Sequence, residues 1–329
     1  MEEKKLDPKK VRIAHLEFNK IKKEIAKIVV GQEEAVNGLL RALLANGHVL
    51  VEGIPGIAKT LLIKALSVTT GCSVKRVQFT VDLLPTDIVG ITTYHEKKGF
   101  YTIKGPIFAN FVIADEINRA PPKTQSALLE AMQERQTTIG RETFPMMKPF
   151  FVMATQNPIE TAGVYPLPAA QVDRFLFWMN MDYPNKGEEE EILRTNVELK
   201  KFEEYKIKPI INPKKIIELQ GYAKEIYINK AIEKYIVEIV NATRHPEKYG
   251  VRMGRYLEWG GSPRASIGLY IASKTDALIR GSNFVTPQNV KNVAHDVLRH
   301  RLILNYEGEA ENIKSDDIIS EILSKVPVP

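Results

Sequence analysis

Apolar residues Val36, Leu39, Leu40, Leu43 and Leu44 recur at the i, i+3, i+4, i+7, i+8 spacing that lays a single stripe along a helix. Residues 32–46 therefore read as an amphipathic helix, with Gly47 as its stop. "HVLVEG" follows as a short buried strand over 48–52, and "KTLLIKALSVTT" (59–70) returns to helix before Gly71. "VKRVQFT" alternates Val74, Val77 and Phe79 imperfectly, as a strand does. "FVIADE", "FFVMATQN" and "FLFWMN" (175–180) are compact apolar runs that end in polar residues. Short apolar runs alternating with helices predict an α/β fold whose parallel sheet is covered on both faces.

The pattern changes after "DYPNKGEEEE" (182–191), beyond which amphipathic helices appear and no further buried strand. In "TPQNVKNVAHDVLRHRL", Thr286 suits an N-cap and Pro287 the first helical position, and Val290, Val293, Ala294, Val297 and Leu298 share one face. The expected division is an α/β domain at 1–183 and a helical domain at 184–329. A chain of 329 residues is long enough for roughly two domains, each with its own core.

Composition adds boundaries rather than a function. The chain is 44% hydrophobic and 26% charged, with no apolar run long enough to span a membrane. The start "MEEKKLDPKK" is too charged for a signal peptide, and the single cysteine, Cys72, excludes an internal disulfide, so a cytoplasmic location is expected. The net charge of +6 permits an acidic partner, but the basic residues are interleaved with acids and form no stripe. His295 and His300, five residues apart, do not stack on one helical face, and the six histidines read as structural or surface residues.

"VEGIPGIAKT" (51–60) lies between a predicted strand and a predicted helix, where a phosphate-binding loop belongs. Gly53 and Gly56 let the loop bend; within the 55–60 loop, backbone N–H groups from Gly56 through Ile57 to Thr60, with Pro55 ahead of them and Leu61 behind, would surround phosphate at a helix start. Lys59 would reach the β and γ oxygens and Thr60 would hold Mg²⁺. Ala58 stands where the pattern G-x-x-x-x-G-K-[ST] has glycine; it is tolerable if its φ is negative. Asp115 and Glu116 end the apolar run "NFVIADEIN" (110–118), where an Asp can orient Mg²⁺ and a Glu can polarise water. An acidic solvated turn also fits that pair. Asn157, in "FFVMATQNP", could hold the attacking water or serve only as a turn former before proline. Arg174, in "LPAAQVDRFLF", could contact phosphate or simply pair with Asp173, and Arg264, in "GGSPRAS", could do the same or remain a surface residue on a first turn. The order of these pieces along the chain resembles the layout of an AAA+ ATPase.

The wording resembles one family within that class. "VVGQEEAVNGLLRALLANGHVLVEGIPGIAKTLL", "DLLPTDIVG", "GPIFAN", "DEINRAPPKTQSALLEAMQERQTTIG", "FFVMATQNPIETAGVYPLPAAQVDRFLF" and "GGSPRAS" look like the MoxR family of AAA+ ATPases. That family commonly carries alanine at the position of Ala58. The resemblance implies a P-loop αβα core with a parallel sheet and a smaller all-helical lid. It assigns Lys59 and Thr60 to Walker A, Asp115 and Glu116 to Walker B, Asn157 to sensor 1, Arg174 to the arginine finger and Arg264 to sensor 2. Val30 and Gly31 are similar to the segment lining the adenine pocket; residues 83–104 match a helix-2 insert and 135–149 the hairpin before sensor 1. Ala169, where the family usually has Glu, and Glu258–Gly260, where it usually has a basic residue, depart from the pattern.

The resemblance further implies ATP hydrolysis with Mg²⁺ at the boundaries of a ring, expected to be a hexamer, with chaperone-like remodelling of protein complexes and a partner bearing a von Willebrand factor A domain. It leaves open whether Arg264 acts in cis or in trans. A nucleic-acid motor and a magnesium-chelatase-like motor subunit are the alternatives of the same clade.

Overall fold

The computed structural model describes residues 6–54, 56–97, 99–157, 163–195 and 202–329. The first helix, α1 (Pro8–Ile25), is capped by the Asp7 carboxylate and buries Val11, Ala14, Phe18, Ile21 and Ile25 along one face. Helix α2 (Glu33–Leu44) follows, and β1 (Val49–Gly53) leads through the glycine-rich loop into α3 (Lys59–Thr69). Next come β2 (Val74–Gln78), α4 (Pro85–Val89), the hairpin β3 (Gly90–His95) and β4 (Gly99–Lys104), and β5 (Phe111–Asp115). Helix α5 (Pro122–Glu134), a second hairpin of β6 (Gln136–Ile139) and β7 (Glu142–Pro145), β8 (Phe151–Gln156), α6 (Ala169–Val172) and β9 (Phe177–Met181) complete this part.

Five of these strands form one parallel sheet in the order β2-β5-β8-β1-β9. Alternate side chains point to opposite faces. Val49, Val51, Ile113 and Met153 join a cluster with α1, α2 and α3, while Leu50, Val112, Ala114 and Val152 pack with Ile88 of α4 and Leu128, Leu129 and Met132 of α5. Both faces are covered, as the apolar runs predict.

The remaining helices are α7 (Lys186–Thr195), α8 (Pro213–Glu225), α9 (Lys230–Arg244), α10 (Pro263–Ile279), α11 (Pro287–Leu298), α12 (Tyr306–Ala310) and α13 (Ser315–Lys325). Helix α11 has the anticipated Thr286 cap, and Asn289 reaches back to complete a capping box. A short antiparallel pair, β10 (Leu257–Trp259) and β11 (Ile303–Leu304), lies among these helices and has no counterpart in the sequence reading, because runs this short show no periodicity.

The helical segment does not keep its core to itself. Leu219, Ile239, Leu269, Val293 and Ile318 belong to the same buried cluster as Val49, Phe111 and Met153 of the sheet. Polar groups reinforce the junction: the fully buried Asp276 of α10 accepts hydrogen bonds from Arg41 of α2 (2.8 Å), from Arg280, and from Asn289 and Asn292 of α11 (2.8 and 3.0 Å). Among the described residues no helix is long and apolar enough to cross a membrane.

Candidate nucleotide site

The glycine-rich loop leaves β1 at Gly53. A Cβ at Gly53 would lie 2.7 Å from the Met181 carbonyl oxygen and 2.7 Å from Ile57 Cδ1, so only hydrogen fits there. Gly56 faces open space but has φ +88°, a region that favours glycine. Ala58 corrects the sequence argument: it is not at a negative φ but at +63°, as the residue that caps α3. A left-handed alanine costs roughly 1–2 kcal/mol. The conformation still lets its carbonyl accept from Leu62 N–H at 2.9 Å, so α3 starts cleanly. Pro55 lies outside the described residues.

Lys59 opens α3 and folds back over the loop, donating from Nζ to the Gly53 carbonyl at 2.5 Å. Burial lowers the pKa of its ammonium from the usual lysine value, while Asp115, Glu116 and Glu52 oppose the shift. The neighbouring carboxylates thus keep a positive charge poised at the loop, and Thr60 is the next residue of the helix.

Asp115 ends β5 after four buried residues, so the strand's packing fixes where its carboxylate emerges. Thr155 Oγ1, on β8, donates to Asp115 Oδ1 at 2.5 Å and accepts the Glu116 N–H at 2.9 Å. Glu116 is left-handed, at φ +55°, which turns the chain sharply off the strand. Its Oε2 accepts from Gln78 Nε2 (2.8 Å) and Arg119 Nη1 (3.0 Å). Asp115 Oδ2 accepts from Arg76 through Nε (3.0 Å) and Nη2 (2.6 Å). Asn157 lies just beyond β8, at the same end of the sheet. Thr155, Arg76 and Gln78 were missed by sequence reasoning, since the contacts depend on strand order; a hydroxyl or amide at a strand end next to an Asp-Glu pair is the only signal they give.

A cavity of about 610 Å³ opens on the other side of the loop, lined by Val30, Gly56, Ile57, Ala58 and Leu61 and closed by Tyr183 and Leu193 from the segment around α7. Gly31 lines a neighbouring hollow, where Glu188 leaves no room for a side chain on it. The family resemblance pointed to Val30 and Gly31 as the adenine segment; Val30 lines this cavity and Gly31 the neighbouring hollow, while Tyr183 and Leu193 were not anticipated.

The two arginines fall elsewhere. β9 runs parallel to β1 with Phe177 opposite Val49 and Met181 opposite Gly53. Arg174 precedes the start of β9, whereas the loop leaves the end of β1; the strand alone separates them by roughly 13 Å. Arg174 is exposed and does not pair with Asp173. Asp173 binds Arg301 at 2.7 Å and Arg264 at 3.5 Å, and Ser262, the cap of α10, lies 3.4 Å from it. Arg264 is thereby fastened beside Arg174, away from the loop of its own chain.

Comparison with known proteins agrees with this geometry. The family model described as "ATPase family associated with various cellular activities (AAA)" matches residues 48–177, and that of the AAA lid domain matches 251–322. Chaperone MoxR1 of Mycobacterium tuberculosis is 47% identical over 93% of this chain and 81% of its own length. Protein MoxR of Methylorubrum extorquens is 31% identical over 94% of each. The chain belongs to the MoxR family of AAA+ ATPases. A MoxR-family identity also fits the 42% identity to YeaC of Bacillus subtilis over 96% of each chain. A solved structure from Cytophaga hutchinsonii, 43% identical, superposes with a TM-score of 0.90 over 98% of this chain and 97% of that one. As in other AAA+ proteins, then, a parallel five-stranded sheet is followed by a helical lid.

Proposed function

We propose that this MoxR-family protein hydrolyses ATP at the boundaries between copies of itself arranged in a ring, most simply a hexamer, and uses the energy to remodel protein complexes. The observation that carries the reading is the separation of Arg174 and Arg264 from Lys59 across the length of β1 and β9. An arginine at that end cannot reach the phosphates its own loop holds; it can reach those of a neighbour. Both Arg174 and Arg264 therefore act in trans, and the site is complete only when two chains meet.

Each residue then has a task. Lys59 and the backbone N–H groups of the loop hold the phosphates; the adenine lies against Val30 and Leu61 in the adjoining cavity. The hard oxygen donors of Thr60 and Asp115 suit Mg²⁺, which neutralises phosphate charge when bound. Glu116 takes a proton from the attacking water, and Asn157 orients that water. Arg174 of one chain stabilises charge on the γ-phosphate held by the next.

The reading assigns 1–183 to the AAA+ core and 184–329 to the lid, in a cytoplasmic protein. The hairpin of β3 and β4 supports a protein client: Tyr94 and Phe100 pack edge to face at 5.2 Å yet remain 62% and 79% exposed. A partner bearing a von Willebrand factor A domain follows from family resemblance. The test is ATPase rate per chain as a function of protein concentration. The rate should rise steeply through assembly; a rate per chain independent of concentration, in a protein shown to stay monomeric, would overturn the shared site.

A further inference from the structure

The carboxylate that Mg²⁺ needs is already engaged by a cation from the same chain. Arg76 lies on β2, the outermost strand of the sheet, and its side chain is 52% exposed. It reaches across to β5 and donates both Nε–H and Nη2–H to a single oxygen, Asp115 Oδ2. The other oxygen, Oδ1, is taken by Thr155. The same guanidinium donates to Gln78 Oε1 at 3.0 Å, which turns the Gln78 amide so that its Nε2–H points at Glu116 Oε2. Adjacent carboxylates at the end of β5 are thus matched by Arg76 and Arg119.

A pair whose arginine is half-exposed to solvent adds little to folding. The strand does not need it either, because β2 is held by its parallel register with β5. Its effect falls on Asp115, whose charge it offsets.

We infer that Arg76 is a positioning residue that serves as an internal counter-ion for Asp115, holding its Oδ2 until Mg²⁺ and nucleotide displace it, and so sets how much Mg²⁺ the site requires. This rests on the nucleotide-site reading above. Charge repulsion and competition for Oδ2 act in the same direction: each weakens metal binding while Arg76 is present. Arginine fits the task because its fork supplies two donors to one carboxylate and one to the neighbouring amide.

The experiment measures Mn²⁺ binding by electron paramagnetic resonance in the full chain with saturating ADP at low salt, comparing wild type with Arg76→Gln and Arg76→Lys. Arg76→Gln should tighten Mn²⁺ by about three- to five-fold, the equivalent of an exposed ion pair, and Arg76→Lys should stay near wild type. The Mg²⁺ concentration for half-maximal ATP turnover should fall by the same factor in Arg76→Gln. Unchanged or weaker Mn²⁺ binding in Arg76→Gln, with nucleotide binding intact, would overturn the inference while leaving the nucleotide site standing. If the wild type bound no Mn²⁺ with ADP, the nucleotide site itself would fall, and this inference with it.

Discussion

Thr155 joins the two acidic residues of the site: one hydroxyl donates to Asp115 at 2.5 Å and accepts the backbone N–H of Glu116 at 2.9 Å. Glu116 sits in a left-handed conformation that needs such support. Thr155→Val should therefore lower kcat by about 10- to 100-fold, equivalent to about 1.4–2.7 kcal/mol, with a much smaller change in nucleotide affinity. Thr155→Ser should recover most of the rate. Equal kcat in the valine variant, read in a steady-state phosphate-release assay, would remove Thr155 from the site's architecture.

Arg174→Ala should bind nucleotide as wild type does and lose turnover by roughly 10³–10⁵-fold, the range for such arginines. Glu116→Gln should trap ATP without cleaving it. Because the proposed site spans two chains, mixing the two inactive variants should restore activity, since some interfaces then combine an intact Glu116 with an intact Arg174. Mixtures that stay inactive despite verified co-assembly would place both residues at one chain's site.

Ala58 offers a test of strain. Replacing it with glycine relieves a left-handed alanine worth roughly 1–2 kcal/mol and restores chain freedom costing about 0.4–1 kcal/mol in the unfolded state. The expected result is a small rise in thermal midpoint with nucleotide binding retained. A clear fall in midpoint would show that the φ of +63° carries no strain.

His48 and His300 make stability fall in acid. His48 is buried, with its Nδ1 accepting from Val152 N–H at 3.0 Å and its Nε2 3.2 Å from the Met132 carbonyl, so a proton on Nδ1 would oppose an existing donor. Burial, with Arg135 nearby, holds its pKa well below the usual 6.5; burial does the same for His300, aided by Arg301. The unfolded chain therefore binds protons that the folded chain refuses. Stability is complete above the ordinary histidine range and falls as pH drops below about 6.5, by up to about 1.4 kcal/mol per pH unit for each histidine. Urea midpoints between pH 7.5 and 5 should follow this slope, and His48→Gln should flatten it.

The sheet strands were legible because buried parallel strands are compact apolar runs, and the cap at Thr286 was legible because its chemistry is local. The insert hairpins came from resemblance alone: β3 exposes most of its residues and shows no alternation. Ala58 was misjudged because a side chain does not announce its φ. Arg76 and Thr155 were invisible because their partners lie on adjacent strands, and adjacency belongs to sheet order. The place of Arg264 depended on the packing of the lid, which its contact with Asp173 shows.

Asp276, fully buried, ties α2 to α10 and α11 through Arg41, Asn289 and Asn292, within an apolar cluster common to sheet and lid. A lid welded in this way cannot swing independently over its own nucleotide. Each chain should melt in a single calorimetric transition, and in the proposed ring the stroke should arise where one chain pivots against the next.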